Sequence, residues 1–304
     1  MLLHKNREQF EAVLSAVSNE LSVPVAIVEK DYYVTMILKQ LACNAKGCVF
    51  KGGTSLSKCY RVISRFSEDI DITFSYRLSQ GERKRLKNKI IAGVSTDLEL
   101  PIADWENARS RRDYNCYTFK YLPVEGYIPE SLVDGVKMEV VLGSASFPTV
   151  EMEVDSFIYR VLKNNNMDLV HEYGLMPFKM MIQSMERTFV DKVFALCDYY
   201  IRNDVNKHSR HIYDLYMLLP RITIGGELKK LVEDVRLERK KMSVMCPAAE
   251  DDVDINDILR EVVDKRFYEK DYEVITSYFQ NDRLAYDEAV SVIEKIIESN
   301  VYAK

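Results

Sequence analysis

The chain has 304 residues, of which 47% are hydrophobic, and carries a formal net charge of -5 at pH 7. This composition suits a globular protein of one large or two ordinary domains, and the acidic balance argues against a generic nucleic-acid binder, which tends to be basic throughout. No run of eighteen or more apolar residues occurs, and the N-terminus lacks the long apolar segment of a secretory signal. We therefore expect no membrane span and a cytoplasmic location.

Cysteine and histidine offer little chemistry in this sequence. The six cysteines are scattered without C-x-x-C or histidine-paired spacing, so we expect buried reduced thiols rather than zinc ligands or disulfides. The four histidines show no ligand spacing, which disfavours a zinc site and a histidine-based catalytic triad.

Two helices are predicted at the N-terminus. Apolar residues from Phe10 to Leu21 recur at helical spacing, and a second helix follows Pro24, which is tolerated in a first helical turn. The charged phrase Glu29-Lys30-Asp31-Tyr32 lies in this second helix. By itself it predicts a charged helix surface.

A glycine turn follows a short apolar strand that ends at Phe50. Gly52-Gly53-Thr54-Ser55 opens a segment of helical periodicity. Two glycines allow the backbone to approach a ligand, and a helix start offers free N–H donors and a positive dipole end. Thr54 and Ser55 add hydroxyl groups, so the turn suits an anion such as a phosphate.

An acidic strand comes next, from Ser67 to Phe74, where polar and apolar residues alternate. A period of two places Asp69 and Asp71 on one face, and two nearby carboxylates suit a hard divalent cation. Taken alone, a glycine pair is usually a tight turn and a D-x-D pattern a solvated strand edge. Strand, glycine turn, helix and acidic strand within one short span are harder to attribute to chance.

A basic run, Arg77 to Lys89, is the candidate surface for a nucleic acid, together with Arg109, Arg111, Arg112 and Lys120. A solvated helix face is the more common meaning of such a run. Contacts with an RNA phosphate backbone are the alternative. A helix is predicted from Glu82 to Val94.

Two strands are then predicted, an aromatic run from Tyr114 to Tyr121 and a branched apolar run from Gly135 to Leu142. Glu139 is an acidic residue within the second strand. Because a carboxylate is seldom buried without a partner, Glu139 has either a basic neighbour or a metal ion beside it.

The rest of the chain is mainly helical after a short extended segment from Phe178 to Ile182. One helix runs through Phe189 to Tyr200 and carries Lys192 beside its apolar stripe, and another begins at Ser209 and carries Asp214. From the pattern alone, both charged residues would form surface ion pairs. Further helices are predicted at 228–244, 255–279 and 284–297.

Four phrases of this sequence resemble one protein family when they are taken together. They are GGT-x-L-x-K at 52–58, R-x-S-x-D-x-D at 65–71, E-R-T-F-x-x-K at 186–192 and R-H-x-Y-D-L at 210–215. The first two resemble the glycine turn and acidic strand of the polymerase-β-type nucleotidyltransferases. In detail the sequence is similar to the AbiEii/AbiGii toxin family, nucleotidyltransferase-like proteins of bacterial abortive-infection and type IV toxin–antitoxin systems that act in phage defence.

The resemblance implies an α/β (α+β) fold, in which a polymerase-β-like mixed sheet is flanked by helices and followed by a mainly helical C-terminal part. We predict a nucleotidyltransferase-like domain at 1–184 and a helical domain at 185–304. The expected reaction transfers a nucleoside monophosphate from an NTP to an acceptor hydroxyl, with Mg²⁺ or Mn²⁺ as cofactor. For acceptor and partner, the resemblance implies RNA, in some branches a tRNA 3′ end, and a cognate antitoxin.

The resemblance also implies roles for individual residues. Asp69, Asp71 and Glu139 would be catalytic and hold the metal, Lys192 would contact phosphates, and Asp214 would complete the acidic set. The expected nucleotide-binding residues are Gly52, Gly53, Thr54, Ser55, Lys58, Arg65 and Ser67. Two alternatives remain, which are an enzyme of this fold that modifies a small molecule or protein and a non-catalytic module that binds nucleotide.

Overall fold

The structure, a computed structural model, describes residues 1–126, 132–242, 244–276 and 284–303. The chain divides into two compact units. Unit 1 consists of Met1–Cys59, Ser67–Leu142 and Thr149–Ile182, and unit 2 consists of Tyr60–Phe66, Gly143–Pro148 and Gln183–Lys304. The domain boundary after residue 184 stays a prediction.

A mixed sheet forms the centre of the first unit. Within the described ranges its six strands are β1 (Cys48–Lys51), β2 (Ile70–Phe74), β3 (Tyr114–Phe119), β4 (Val136–Ala145), β5 (Thr149–Val154) and β6 (Phe178–Gln183). They lie in the order β3-β4-β2-β1-β6-β5. β1 is antiparallel to β2 and parallel to β6, and β3 is antiparallel to β4. The predicted mixed sheet flanked by helices is therefore confirmed.

The strand sequences explain which side chains the sheet buries. β4 alternates, so that Val136, Met138 and Val140 are buried while Lys137 and Glu139 lie half-buried on the opposite face. β5 was not predicted. The acidic strand is shorter than predicted, since β2 begins at Ile70 rather than at Ser67.

Two long helices open unit 1, namely α1 (Arg7–Leu21) and α2 (Val25–Asn44). The Asn6 side chain caps α1 by accepting a hydrogen bond from the Gln9 N–H. Helix α2 is buried on nearly all sides, because it is apolar around most of its circumference. The charged surface predicted for Glu29-Lys30-Asp31-Tyr32 is wrong, since all four residues are buried.

The other helices of unit 1 are short. They are α3 (Gly52–Ser55), which continues as a π-helical turn at Leu56–Tyr60, α4 (Gln80–Arg85), which continues as a π-helical turn at Leu86–Ile91, α5 (Ala92–Asp97), α6 (Phe157–Leu162) and α7 (Met167–Glu172). The helix predicted from Glu82 to Val94 is thus present with a π-helical turn inside it. A capping box between Ser79 and Glu82 begins α4. Helices α6 and α7 were not predicted.

The second unit is mainly helical, as predicted. Its helices are α8 (Met185–Ile201), α9 (Arg210–Leu218), α10 (Gly226–Lys240), α11 (Ile255–Asp264), α12 (Glu269–Thr276) and α13 (Tyr286–Glu298). The single helix predicted for 255–279 is wrong, because α11 ends before Arg266, whose φ of 46° is left-handed. Its last residues, 277–279, lie outside the described residues.

Among the described residues, no single helix has both the length and the apolar content to cross a membrane. Helices α1 and α2 meet that test only as a pair, and they are bent by 112° relative to each other.

Candidate active site

The glycine turn follows β1 directly. Gly52 has a φ of +78°, a conformation that favours glycine, and it starts the helical segment that contains Thr54 and Ser55. The Ser55 hydroxyl donates to the Gly52 carbonyl at 2.9 Å. The sequence therefore produces the sharp change of direction that the glycine pair predicted.

Asp71 lies against this turn. In the antiparallel register of β1 and β2, Asp71 is opposite Lys51, the residue before Gly52. A Cβ atom added at Gly52 would lie 2.0 Å from Oδ2 of Asp71, so the carboxylate occupies space that only glycine leaves open. The acidic strand and the glycine turn are thus adjacent.

The segment leading into β2 is also joined to the turn. The Thr54 hydroxyl lies 2.9 Å from the Ser67 hydroxyl and donates to the Asp69 carbonyl at 2.5 Å. Because β2 begins at Ile70, Asp69 is the residue immediately before the strand. Thr54, expected to bind phosphate, therefore also holds the backbone of Asp69.

Glu139 has the basic neighbour that was one of its two predicted alternatives, because its carboxylate forms an ion pair with Lys137. Burial lowers the pKa of Lys137, but hydrogen bonding to Glu139 and the charges of Glu139 and Asp69 raise it overall. Burial, the charge of Glu139 and more weakly that of Asp71 raise the pKa of Tyr114. Lys137 is affected by Asp69 and Glu139, and Tyr114 by Asp71 and Glu139, so each aspartate shares a neighbour with Glu139.

The fit of a metal ion to these carboxylates is partial. Carboxylate oxygens are the ligands that Mg²⁺ prefers, and Asp69, Asp71 and Glu139 supply them. Across the described ranges, however, no three His, Cys, Asp or Glu side chains are already arranged to hold a metal ion. Glu139 would have to exchange Lys137 for the cation, while Asp69 and Asp71 fit by chemistry and by their place beside the turn.

Lys58 and Arg65, both expected to bind nucleotide, are buried in ion pairs. The Lys58 ammonium pairs with Asp31 inside unit 1. In unit 2, the Arg65 guanidinium makes two hydrogen bonds of 2.7 Å to the carboxylate of Asp214. Both residues are 5% exposed, and each side chain is engaged by a carboxylate rather than turned towards solvent.

Lys192 completes a triad in unit 2. Its ammonium donates to Oδ2 of Asp214 at 2.6 Å, so one carboxylate serves two cations. Although burial opposes ionisation, the charges of Arg65 and Lys192 hold the pKa of Asp214 well below its usual range. Burial lowers the pKa of Lys192, because Asp214 is shared with Arg65 and offsets the loss of water only in part. The surface ion pair that the pattern alone predicted is instead a buried one.

The basic run is divided between structural and exposed residues. Arg83 is buried and donates to the Leu142 carbonyl at 2.8 Å, and Lys87 donates to the Ala108 carbonyl at 2.7 Å. Lys120 is ion-paired with Asp134. Of the helix residues, Lys84, Arg85 and Lys89 remain exposed.

Sequence reasoning missed a buried polar cluster on α2. Glu29, Lys30 and Asp31, which we call the α2 charge cluster, are 2%, 0% and 8% exposed. The missed signal was the mainly apolar sequence on both sides of the phrase. A helix that is apolar all round is buried in a core, and the charged residues within it are then buried as well. Lys30 pairs with Glu68, the neighbour of Asp69.

Comparison with known proteins identifies the class to which this fold and site belong. A family model described as nucleotidyl transferase AbiEii toxin, type IV TA system, matches residues 37–292. The chain therefore belongs to this family and is a nucleotidyltransferase toxin of the type IV toxin–antitoxin class.

Among solved structures, the chain is similar to MenT4, a nucleotidyltransferase toxin from Mycobacterium tuberculosis, with a TM-score of 0.52 and 15% sequence identity. The match covers 94% of this chain and 88% of MenT4. At this identity the likeness concerns the fold. No curated protein matches the sequence.

Proposed function

We propose that the chain transfers a nucleoside monophosphate from an NTP to the 3′ hydroxyl of an RNA, with tRNA as the first candidate. One observation carries the proposal, namely that the Asp71 carboxylate lies against Gly52, where a Cβ atom would otherwise be. A phosphate-binding turn and a cation-binding strand side by side are what a metal-bound triphosphate requires.

In this proposal the NTP phosphates accept hydrogen bonds from the N–H and hydroxyl groups of the Gly52–Ser55 turn, with Ser67 beside it. Asp69, Asp71 and Glu139 hold Mg²⁺ or Mn²⁺. When bound, the metal neutralises charge on the triphosphate and lowers the pKa of a bound hydroxyl. Catalysis of this kind depends on positioning and charge stabilisation rather than on a dedicated nucleophile.

Glu139 has a second proposed role as acceptor of the proton from the attacking hydroxyl. Its half-buried position on the polar face of β4 supports this, because the carboxylate stays within reach of a hydroxyl group. In our proposal, Lys58 and Arg65 act through the ion pairs that hold their segments. For Lys192 the proposal keeps the contact with phosphate that the family resemblance implies. For Asp214 it keeps the implied place in the acidic set.

An RNA acceptor requires a surface whose cationic side chains bind its phosphate groups. We place it on Lys84, Arg85 and Lys89, which are exposed and form no ion pair within the described part of the chain that would compete with RNA. Such contacts supply affinity rather than base specificity.

The biological consequence we propose is growth arrest in the cytoplasm, where NTPs and tRNA are found, until a cognate antitoxin neutralises the protein. The test is induced expression of wild type beside Asp71→Ala, with growth and tRNA 3′-end sequencing as readouts. Wild type should stop growth and add nucleotides to RNA ends, and Asp71→Ala should do neither. Arrest without altered tRNA 3′ ends would exclude the tRNA 3′ end as the acceptor.

The two alternatives are separated in vitro. Wild type is incubated with labelled NTPs and with total RNA, protein or metabolites, and the fraction that gains label identifies the acceptor class. A purely binding protein labels none of them. If Asp69→Ala remains toxic and still binds nucleotide, the catalytic proposal fails.

A further inference from the structure

The α2 charge cluster places three consecutive ionisable side chains inside unit 1. Burying a charge is unfavourable unless it is paired and hydrogen-bonded, and Lys30 and Asp31 have both kinds of partner. Glu29 accepts the N–H of Val124. Lys30 instead contacts the segment that leads into the acidic strand, and Asp31 contacts the helical segment that follows the glycine turn.

The contacts of Lys30 lie beside the acidic strand β2. Its ammonium lies 3.0 Å from the Glu68 carboxylate, donates to the Gly135 carbonyl at 2.6 Å and also donates to the Val133 carbonyl. The Glu68 carboxylate in turn accepts the N–H of Val133 at 2.9 Å. Lys30 therefore joins the residue before Asp69 to the segment before β4, the strand that carries Glu139.

The contacts of Asp31 lie beside the glycine turn. Its carboxylate pairs with Lys58, which lies in the π-helical turn after α3, and accepts the N–H of Phe157 at 2.7 Å. Arg160 donates to the Lys58 carbonyl at 3.1 Å, so the same turn is also held through its backbone. Asp31 thus connects the helical segment that begins at Gly52 to α2.

We propose that Lys30 and Asp31 are positioning residues, which set the spacing between the Asp69–Asp71 carboxylates and the glycine turn through two adjacent points on one buried helix. The inference rests on the proposed function, because it assigns these residues to the same site. Neither residue touches the nucleotide, since both are buried within the protein. A helix packed on nearly all sides is a rigid base for such spacing, and catalytic groups depend on supports of this kind.

The test compares Lys30→Met, Glu68→Gln and the double variant with wild type. We expect each single variant to lower kcat for nucleotide transfer by about 10²-fold, with KM for the NTP changed far less, because a small displacement of reacting groups has an effect of this size. The double variant should be no slower than Lys30→Met, because both changes break one link. Lys265→Met, which removes an exposed lysine of unit 2 from its pair with Glu261, is the matched control and should keep wild-type rates.

Hydrogen exchange supplies a readout that needs no activity. In Lys30→Met the peptide from Ser67 to Thr73 should exchange faster, while α2 and β1 keep their protection. If Lys30→Met does not fold, Glu68→Gln carries the test, because the Glu68 side chain is 15% exposed and its loss leaves the helix packed.

The outcomes separate this inference from the proposed function. Wild-type rates and wild-type exchange in both single variants would overturn the positioning role. A wild type that transfers no nucleotide would overturn the proposed function, and the exchange of the Ser67–Thr73 peptide would still decide whether Lys30 holds that segment.

Discussion

At the scale of single residues, the close approach of Asp71 to Gly52 restricts position 52 to glycine. The positive φ of Gly52 disfavours any other residue, and the Asp71 carboxylate fills the space that a side chain would need. The glycine turn and the acidic strand are therefore linked through one missing Cβ atom.

Gly52→Ala tests this link. We expect a loss of about 1–3 kcal/mol in the free energy of unfolding from backbone strain, together with loss of nucleotide transfer because Asp71 is displaced. Chemical denaturation and a transfer assay measure the two effects. Gly93→Ala is the control, since Gly93 lies within α5 with nothing within 4 Å of an added Cβ atom. Equal activity of the two variants would show that Asp71 does not need this space.

Glu29 gives stability a pH dependence of its own. Burial is the main cause that raises the pKa of Glu29 to about 7, against hydrogen bonding from Val124 and the charge of Arg7. The folded state then holds a proton that the unfolded state releases above its ordinary pKa of 4.5. The contribution of Glu29 is full below pH 4.5 and is lost as the pH rises to 7, by about 3 kcal/mol in total.

We therefore expect wild type to lose stability relative to Glu29→Gln between pH 5 and pH 7.5. Glutamine keeps an oxygen for the Val124 N–H and cannot ionise. Denaturation curves of both proteins across this range measure the difference, and the comparison removes contributions from histidines, which both proteins share. Parallel stability profiles would show that Glu29 does not titrate there.

At the scale of elements, the Arg65, Lys192 and Asp214 triad joins three segments of unit 2, namely the 60–66 loop, α8 and α9. Removing different members has different consequences. Without Asp214, two buried cations face each other, whereas without Lys192 the two-fold hydrogen-bonded pair of Arg65 and Asp214 remains.

Asp214→Asn should destabilise the protein by about 3–5 kcal/mol, because it leaves buried charge uncompensated. Lys192→Met should change stability by about 1 kcal/mol or less, yet abolish transfer if Lys192 contacts phosphate as proposed. Denaturation and transfer assays are run on both variants. Asp257→Asn, which breaks an exposed pair with Arg260, is the control and should alter neither property. A stable and fully active Lys192→Met would remove this lysine from the nucleotide site.

The glycine turn and the acidic strand could be predicted because each depends on local pattern, in which a few neighbouring residues decide the outcome. The mixed sheet was predicted only through the family resemblance. The burial of Lys30, Lys58 and Lys192 could not be predicted, since their carboxylate partners are 22 or more positions away in the chain for Lys58 and Lys192, and 38 positions away for Lys30. Sequence spacing does not reveal which distant charge will satisfy a buried lysine.

At the scale of the whole molecule, the net charge of -5 conceals a local basic surface. Lys84, Arg85 and Lys89 are exposed, while Arg83 and Lys87 of the same run donate hydrogen bonds to backbone carbonyls.

We expect Lys84→Glu/Arg85→Glu/Lys89→Glu to weaken tRNA binding and to reduce the slope of log K against log salt by about 2, which corresponds to three lost phosphate contacts. Filter binding across a salt series measures both quantities. The control Lys229→Glu/Lys230→Glu/Lys270→Glu makes the same change in net charge at exposed positions of unit 2. If both triple variants lose affinity equally, overall charge rather than this surface governs binding.

The central claim is that the glycine turn and the aspartate strand together transfer a nucleoside monophosphate. Incubation of purified protein, Mg²⁺ and tRNA with either α-labelled or γ-labelled NTP tests it most directly. We predict that wild type places the α label on tRNA and releases the γ label as pyrophosphate, and that Asp71→Asn lowers α-label transfer by at least about 10²-fold. Transfer of the γ label to tRNA, or undiminished α-label transfer by Asp71→Asn, would contradict the claim.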